Sequence, residues 1–580
     1  MRHPSRRPSI GRPSGAARAV VLALLIPVLT LLTLLAGSPS TADSDQRPAA
    51  AANATAPALP LGSGDLHEAR TSEAVGPGVT HITIKRGHAS ANDYWTVTAG
   101  LATGEPEIAA LEQRLRELGH DPRREAVAGP DPRGPPGRPM ATAVRVGAFP
   151  TSAEAGQLRA ELVSAGLSAR VHHTSEDGHH TTGPWRLNVL LLNPAAAKRL
   201  RVELGQGRIE GLESVSSAAH RTGALAAVNG GFYVTPNTRR EPGPWLAGTP
   251  GDPAGLTVIG GDLLSESVLH RPALVLPGSS GLRPAVRRLS TRLSITDSRG
   301  AAHPVTGLNR FPGLVPYCGG AWATGRDKAA HHDYTCGSSD DLVVITPTYG
   351  RQAPAGDGRQ ALLDANGQVT ALQDHRGGPV PPGGSVVQGR GAAAQWLATN
   401  ARPGVRLQIR QEVTDPDTRQ RLRPTPSLDI IEGGPLLLRG GRTVLDPVRD
   451  GWSPQAIDGH DRRAFYNDWY LRRNPRTAAG TTASGHLILM TADGRQPGHS
   501  AGLTITETAA VMRSLGAVDA LNLDGGGSTT LVTHDRVRNT PSDPTGERPV
   551  ATVLLLPSAA GPPDPPARQA GNNSPGRHGR

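Results

Sequence analysis

From residue 186 onward, apolar residues come in short runs and alternations bounded by Gly, Pro, Asn or Asp, the pattern of strands joined by turns. "WRLNVLLLN", "GLTVIG", "DLVVITPTYG", "RLQIRQEV", "LDIIEGGPLLL", "HLILMTADG" and "VATVLLLP" each predict a strand. One stretch, "TITETAAVMRSLG", keeps helical spacing instead. Thr504 and Glu507 stand at capping-box spacing, and Gly516 marks the stop. That helix and the strand after it deliver Asp524 to a loop, and the "TTLVT" beyond the loop reads as another strand.

Upstream the pattern changes. Sliding the chain against itself at an offset of 47 places Val97, Gly100, Leu111, Leu115, Gly119 and Arg123 on Val144, Gly147, Leu158, Leu162, Gly166 and Arg170. Each copy reads strand, helix ("EIAALEQRLRELG", "SAEAGQLRAELVSAG"), strand. Leucines at i and i+4 give each helix one apolar face. Two copies predict a four-stranded sheet carrying two helices. Residues 43–91, rich in Ala, Pro, Gly, Ser and Thr, are expected to form a disordered linker, 174–185 a short connector and 558–580 a disordered tail. The expected fold class is α+β: a large β-rich domain, 186–557, preceded by a small ferredoxin-like domain, 92–173.

Composition agrees with that reading, since 71 Gly and 53 Pro with 3% aromatic residues suit turn-rich β structure. The net charge of +11 is carried almost wholly by Arg, with Lys only at 85, 198 and 328. No basic block is interleaved with aromatics, so no nucleic-acid partner is expected. Diffuse positive charge suits anionic polymers such as those of a cell wall. At the N-terminus, Arg2, Arg6, Arg7, Arg12 and Arg18 precede "AVVLALLIPVLTLLTLLAG" and "SPSTAD". This predicts a signal peptide over 1–42, cleaved after Ala42; an uncleaved segment would make the membrane a partner. The expected location is secreted or cell-wall associated. Cys318 and Cys336 bracket one loop, and in an oxidising compartment they are expected to pair as a disulfide. A metal site using His331, His332 and Asp333 is the rival reading.

"ALNLDGGGSTTLV", 520–532, is the densest polar motif: Asp524 leads into Gly525, Gly526, Gly527, Ser528 and Thr529. A glycine run implies positive φ or close backbone approach. The usual phosphate motifs fail here. No Lys precedes the Ser/Thr, and the dinucleotide fingerprint needs a Gly where Thr530 sits and a helix after it. Further polar clusters lie at strand ends: "AAVNGGFY" with Asn229, Gly230 and Gly231; "EGGPLLLRGG" with Gly433 and Gly434; "NPRTAAGTTASGHLILMTADGR" with Arg476, Thr477, Asp493 and Arg495; and "NTPSDPTGERPVATVLLL" with Asn539, Asp543, Glu547 and Arg548.

In this order the clusters resemble the phosphodiester glycosidase family, whose pattern runs A-x-N-G-G-F-F, G-G-P, H-P-R-T-A-x-G, D-G-R, L-N-L-D-G-G-G-S-T-T and N-x-P-S-D-x-x-x-E-R. The resemblance covers roughly 220–556. It implies hydrolysis of a sugar-1-phosphodiester at the anomeric carbon. Arg476, Arg495 and Arg548 would grip the phosphate, because guanidinium matches its oxygens bidentately. A carboxylate is expected at the oxocarbenium-like centre. Asp524 is the first candidate, then Asp493, then Glu432, with Thr477 beside them in the catalytic set. Asn229, Gly230, Gly231, Gly433, Gly434, Gly525, Gly526, Gly527, Ser528, Thr529 and Asn539 are expected to line the substrate. For Asp524, a structural turn acid or a cation ligand stays open as an alternative; the motifs identify no cofactor, and a divalent cation is left open. One departure stands out: Asn474 occupies the place of the family's His. If that His transfers protons, the departure counts against activity, and the alternative is a non-catalytic wall-binding or exopolysaccharide-assembly protein on the same fold. If it orients a neighbour, Asn can replace it. "AVRVGAFPTSAEAGQLRAELVSAGLSARV" resembles the SPOR domain, a peptidoglycan-binding module, which implies peptidoglycan glycan strands as partner and phosphodiester-linked wall polysaccharide as substrate.

Overall fold

The computed structural model describes residues 57–129, 137–235, 248–268, 271–278, 282–316, 335–450 and 462–558. Trp185–Leu192 and Leu487–Ala492 carry the apolar runs Val189–Leu192 and Leu487–Met490 and are buried on both faces at most positions, so they lie inside an eight-stranded sheet. Its order is Glu68–Gly76, Val79–Arg86, Trp185–Leu192, Leu487–Ala492, Arg476–Thr482, Ala517–Asn522, Leu436–Arg439, Arg442–Thr443. A five-stranded sheet, ordered Arg536–Val537, Leu531–Thr533, Ala224–Asn229, Thr552–Pro557, Arg201–Leu204, shares a core with it. Leu190, Val228, Leu489, Leu521, Leu531 and Leu554 belong to that core. The helix Ile505–Ser514 forms as read, with both hydrogen bonds of the Thr504–Glu507 capping box present. Gly516 takes φ 93° just beyond it.

The repeat folds twice into the same unit. Trp95–Ala102, Glu105–Glu117 and Pro122–Ala126 correspond to Thr142–Phe149, Ser152–Ser164 and Arg170–His173. The strands make one four-stranded sheet, and both helices contact it. Equivalent positions do equivalent work: Leu115 and Leu162 are both wholly buried, and Gly119 and Gly166 both hold positive φ after their helices.

One expectation about connectors is overturned. Glu68–Gly76 and Val79–Arg86, inside the expected linker, are paired strands, and the second pairs with Trp185–Leu192. In "VTHITIKR" Val79 and His81 are buried on one face and Ile84 and Arg86 on the other, while the outer strand is mostly polar and exposed as an edge strand should be. Leu59 and Leu61 are buried with them. Across the short connector after His173, the small unit packs on the large body. Val127, Met140, Ala141 and Ala143 of the small unit share one apolar cluster with Trp185, Tyr466, Tyr470 and Leu471. The expected signal segment, most of the tail and Cys318 with the loop after it lie outside the described residues; Cys336 stands opposite Val315 in a two-stranded ladder. Among the described residues no helix is long and apolar enough to cross a membrane.

Candidate active site

Three strand ends meet at Asp524. The strand Ala517–Asn522 carries the acid just beyond its end, Ala224–Asn229 ends at Asn229, and Arg476–Thr482 begins one residue before Thr477. Asn229 ties them together. Its Oδ1 accepts from Thr477 Oγ1 at 2.8 Å and from the Thr530 amide at 3.1 Å, while its Nδ2 donates to the Asp524 carbonyl at 2.8 Å. Thr477 Oγ1 also approaches Thr529 Oγ1 at 3.4 Å. Asn229 and Thr477 are wholly buried. They hold the Asp524 loop in place, whereas Asp524 itself stays half-buried, with its Oδ1 accepting from the Gly525 amide at 2.8 Å.

The glycine run is bare because protein already crowds it. A Cβ on Gly525 would lie 2.8 Å from the Pro475 carbonyl, and Gly526 has φ 60°, beneath the Arg495 guanidinium. On Gly527 a Cβ would collide with Arg548 and Asp543. Arg548 grips Asp543 through Nε at 2.9 Å and Nη2 at 3.0 Å. A guanidinium has five N–H donors, so this pair occupies only part of its fork. Burial opposes the Arg548 charge, but the Asp543 bonds and the nearby negative charge of Asp524 raise its pKa.

Arg495 completes the cluster. It holds φ 57°, a left-handed conformation costly for a side-chain-bearing residue, of the kind that gathers at functional sites. Its Nε donates to Asn474 Oδ1 at 3.0 Å, and it lies in the electrostatic field of Arg548, Asp543, Glu176 and Asp468. The orientation of the Asn474 amide is fixed by its other bonds. Nδ2 donates to the carbonyls of Asp468 and Arg472 at 2.7 and 3.1 Å, which only an NH₂ can do.

Sequence reasoning missed Tyr233. Its hydroxyl donates to the Pro549 carbonyl at 2.7 Å. Burial raises its pKa, and the negative charge of Asp524 adds to the rise. The signal was its place one residue past the Phe of "AAVNGGFY", in a motif already singled out.

Other expected site residues are held elsewhere. Arg476 is buried, with Nε donating to the Leu503 carbonyl at 2.9 Å and Nη2 to those of Trp469 and Arg472; the guanidinium also lies 5.0 Å from the Trp469 ring centroid. Burial, with Arg495 nearby, brings its pKa down to about 9. It braces backbone instead of gripping phosphate. Asp493 accepts from His499 Nε2 at 2.9 Å and from the Thr540 amide at 3.1 Å, a buried turn acid whose pKa burial raises. Asn539 bonds the Leu531 amide and the Thr529 carbonyl. Glu432 is buried, accepts from the Leu256 amide at 2.9 Å and stands 3.6 Å from Arg271; burial pushes it up to about 8. Gly230 and Gly231 pack on Ile431, Glu432 and Thr552, and Gly433 packs on Asn522, so their bareness serves packing between strands. The Gly434 amide donates to the Asn522 carbonyl at 2.6 Å, and Ser528 is wholly buried. Among the described residues no group of three or more His, Cys, Asp or Glu could hold a metal ion.

Residues 359–556 match the phosphodiester glycosidase family model, so the chain carries a domain of that family. The mouse N-acetylglucosamine-1-phosphodiester alpha-N-acetylglucosaminidase is 30% identical over 171 residues, covering 28% of this chain and 30% of that protein. Its human counterpart is 35% identical over 118 residues, 20% of this chain and 22% of that protein. The match thus spans less than a third of these curated relatives. A crystal structure of a Burkholderia pseudomallei protein is 36% identical, with a TM-score of 0.77, and covers 86% of this chain and 98% of that one. The chain belongs to one family with that protein.

Proposed function

From a chain that carries a phosphodiester glycosidase domain, we propose a hydrolase that splits a sugar from a sugar-1-phosphodiester, with N-acetylglucosamine as the first sugar to test. The observation that carries the reading is the convergence of Asp524, Arg495 and Arg548 on the Gly525–Gly527 turn, inside the region that matches the family. Arg495 and Arg548 meet the phosphate oxygens, and their charge stabilises the phosphomonoester as it departs. Asp524 faces the anomeric carbon, where positive charge develops. Water adds its oxygen to that carbon and gives up one proton to solvent, the carbon–oxygen bond to phosphate breaks, and its electron pair leaves on the phosphate. Because phosphate leaves readily, strong acid assistance is less needed than for an ordinary glycoside. Asn474 orients Arg495, so the absence of the family's His does not by itself remove the chemistry.

The setting we propose is extracytoplasmic. The N-terminal Arg-rich and apolar pattern supports export, as does the name of the Burkholderia relative, which includes the word "exported". The resemblance over 144–171 supports peptidoglycan glycan strands as partner and a phosphodiester-linked wall polysaccharide as substrate. The test is incubation of the full chain with a soluble N-acetylglucosamine-1-phosphodiester. Free sugar and a phosphomonoester are expected. Release of sugar-1-phosphate, or no turnover of any sugar-1-phosphodiester, overturns the reading.

A further inference from the structure

The helix-free face of the small unit's sheet is covered. Thr96, Thr98, Arg145 and His172 on its strands are all buried, although each is polar. Two of them lead to the run 467–473: His172 Nε2 approaches Asp468, and Arg145 shares Asp177 with Arg472. That run includes one π-helical turn, Asn467–Leu471, and leads directly into Asn474. π turns are rare and frequent at functional sites. Three side chains of this run, Asp468, Arg472 and Arg473, reach the small unit and its connector, and Arg473 also pairs with Glu507 of the large body at 2.7 Å. Asp468 accepts from Arg170 Nη1 at 2.7 Å and has His172 Nε2 at 3.5 Å. Arg472 pairs with Asp177 and with Glu176 at 3.2 Å. Arg473 donates from Nη1 to the Ser175 carbonyl at 3.0 Å and from Nη2 to that of His179 at 2.8 Å. Its carbonyls point the other way. Those of Asp468 and Arg472 receive Asn474 Nδ2, and those of Trp469 and Arg472 receive Arg476 Nη2. Asn474 then sets Arg495.

We propose that the small unit positions the anion grip: residues 170–177 hold the 467–473 run by its side chains, and the carbonyls of that run orient Asn474 and, through it, Arg495. Arg170 and Asp468 are thus positioning residues that touch no substrate, and the inference rests on the phosphodiester reading of the Arg495–Arg548 cluster. A unit that served only as an appendage would be free to separate. This one instead buries an Arg145–Asp177–Arg472 network against the large body, with Arg145 reaching Asp177 at 2.6 and 3.0 Å. Buried charges so arranged are strongly unfavourable to pull apart.

The test uses the full chain, with Arg170→Glu, Asp468→Arg and the double exchange. Arg170 is partly exposed, and exposed pairs contribute little to stability, so these variants should fold. The readouts are the dissociation constant for inorganic phosphate, by calorimetry, and KM and kcat on the N-acetylglucosamine-1-phosphodiester. Each single change should weaken phosphate binding and raise KM about five-fold with kcat nearly constant, as expected for a loss of about 1 kcal/mol. The double exchange should restore both. Arg114→Glu, on an exposed helix position of the same unit, should change neither. Unchanged phosphate affinity in both single variants, or loss without recovery in the exchange, overturns the proposal. If phosphate binding follows the expected pattern while no sugar-1-phosphodiester turns over, the positioning stands and the hydrolase reading falls. If the unaltered protein binds no phosphate, both fall.

Discussion

Asn474 Oδ1 accepts a 3.0 Å hydrogen bond from Nε of Arg495, and its Nδ2 is spent on two backbone carbonyls. A residue so engaged orients; it carries no proton to a leaving group. Asn474→Ala should therefore leave Arg495 unheld and two carbonyls unpaired. The expected result is a KM raised about ten-fold and a stability loss of about 1–3 kcal/mol, the usual cost of unsatisfied buried groups. Steady-state kinetics and thermal unfolding check both halves.

Asp524 is half-buried at the meeting of three strands, with its backbone carbonyl held by Asn229. Asp524→Asn keeps size and shape and removes the charge. Turnover should fall by roughly 10³-fold or more, as for removal of a group that stabilises transition-state charge, while circular dichroism and melting stay near those of the unaltered protein. Near-normal kcat would return Asp524 to the role of a turn acid.

Two arginines of one predicted trio should behave differently. Arg548 faces the glycine turn, so Arg548→Lys replaces a fork with a point charge and should chiefly raise KM. Arg476 is buried and bonded to carbonyls of Leu503, Trp469 and Arg472, so Arg476→Lys should chiefly lower the melting temperature. A KM effect without destabilisation in Arg476→Lys would restore it to the phosphate grip.

Asp177 supplies a pH prediction. Burial alone would raise its pKa, but the charge of Arg472 and the hydrogen bond from Arg145 outweigh it and bring the group down to about 2 from 3.8. A carboxylate with a depressed folded value stabilises the fold above its unfolded pKa and loses that contribution as pH falls through the folded one. The protein should thus lose about 2 kcal/mol between roughly pH 4 and pH 2 through this group, from about two pKa units. Denaturant titrations at several pH values should show that extra acid slope in the unaltered protein and not in Asp177→Asn.

What the sequence made legible was local or periodic. The capping box at Thr504–Glu507 depends on neighbours three residues apart, and the repeat with its paired Gly119 and Gly166 on a fixed offset of 47; both fold as read. The glycine run was correctly marked as a place of close approach, but the approaching groups, Pro475, Arg548 and Asp543, come from other parts of the chain. The burial of Arg476 is hidden for the same reason, since one of its acceptors lies 27 residues away. The strand Glu68–Gly76 looked like linker because an edge strand with few buried positions has little apolar signal. The clamp from Asp177 to Arg472 joins residues 295 positions apart, beyond any spacing rule.

Hydrolysis of an N-acetylglucosamine-1-phosphodiester in water labelled with heavy oxygen separates cleavage at carbon from cleavage at phosphorus. With Asp524 at the anomeric carbon and Arg495 and Arg548 on the phosphate, the label should enter the sugar hydroxyl, and the phosphomonoester should stay unlabelled. Label in the phosphate, or sugar-1-phosphate as the product, would contradict a glycosidase.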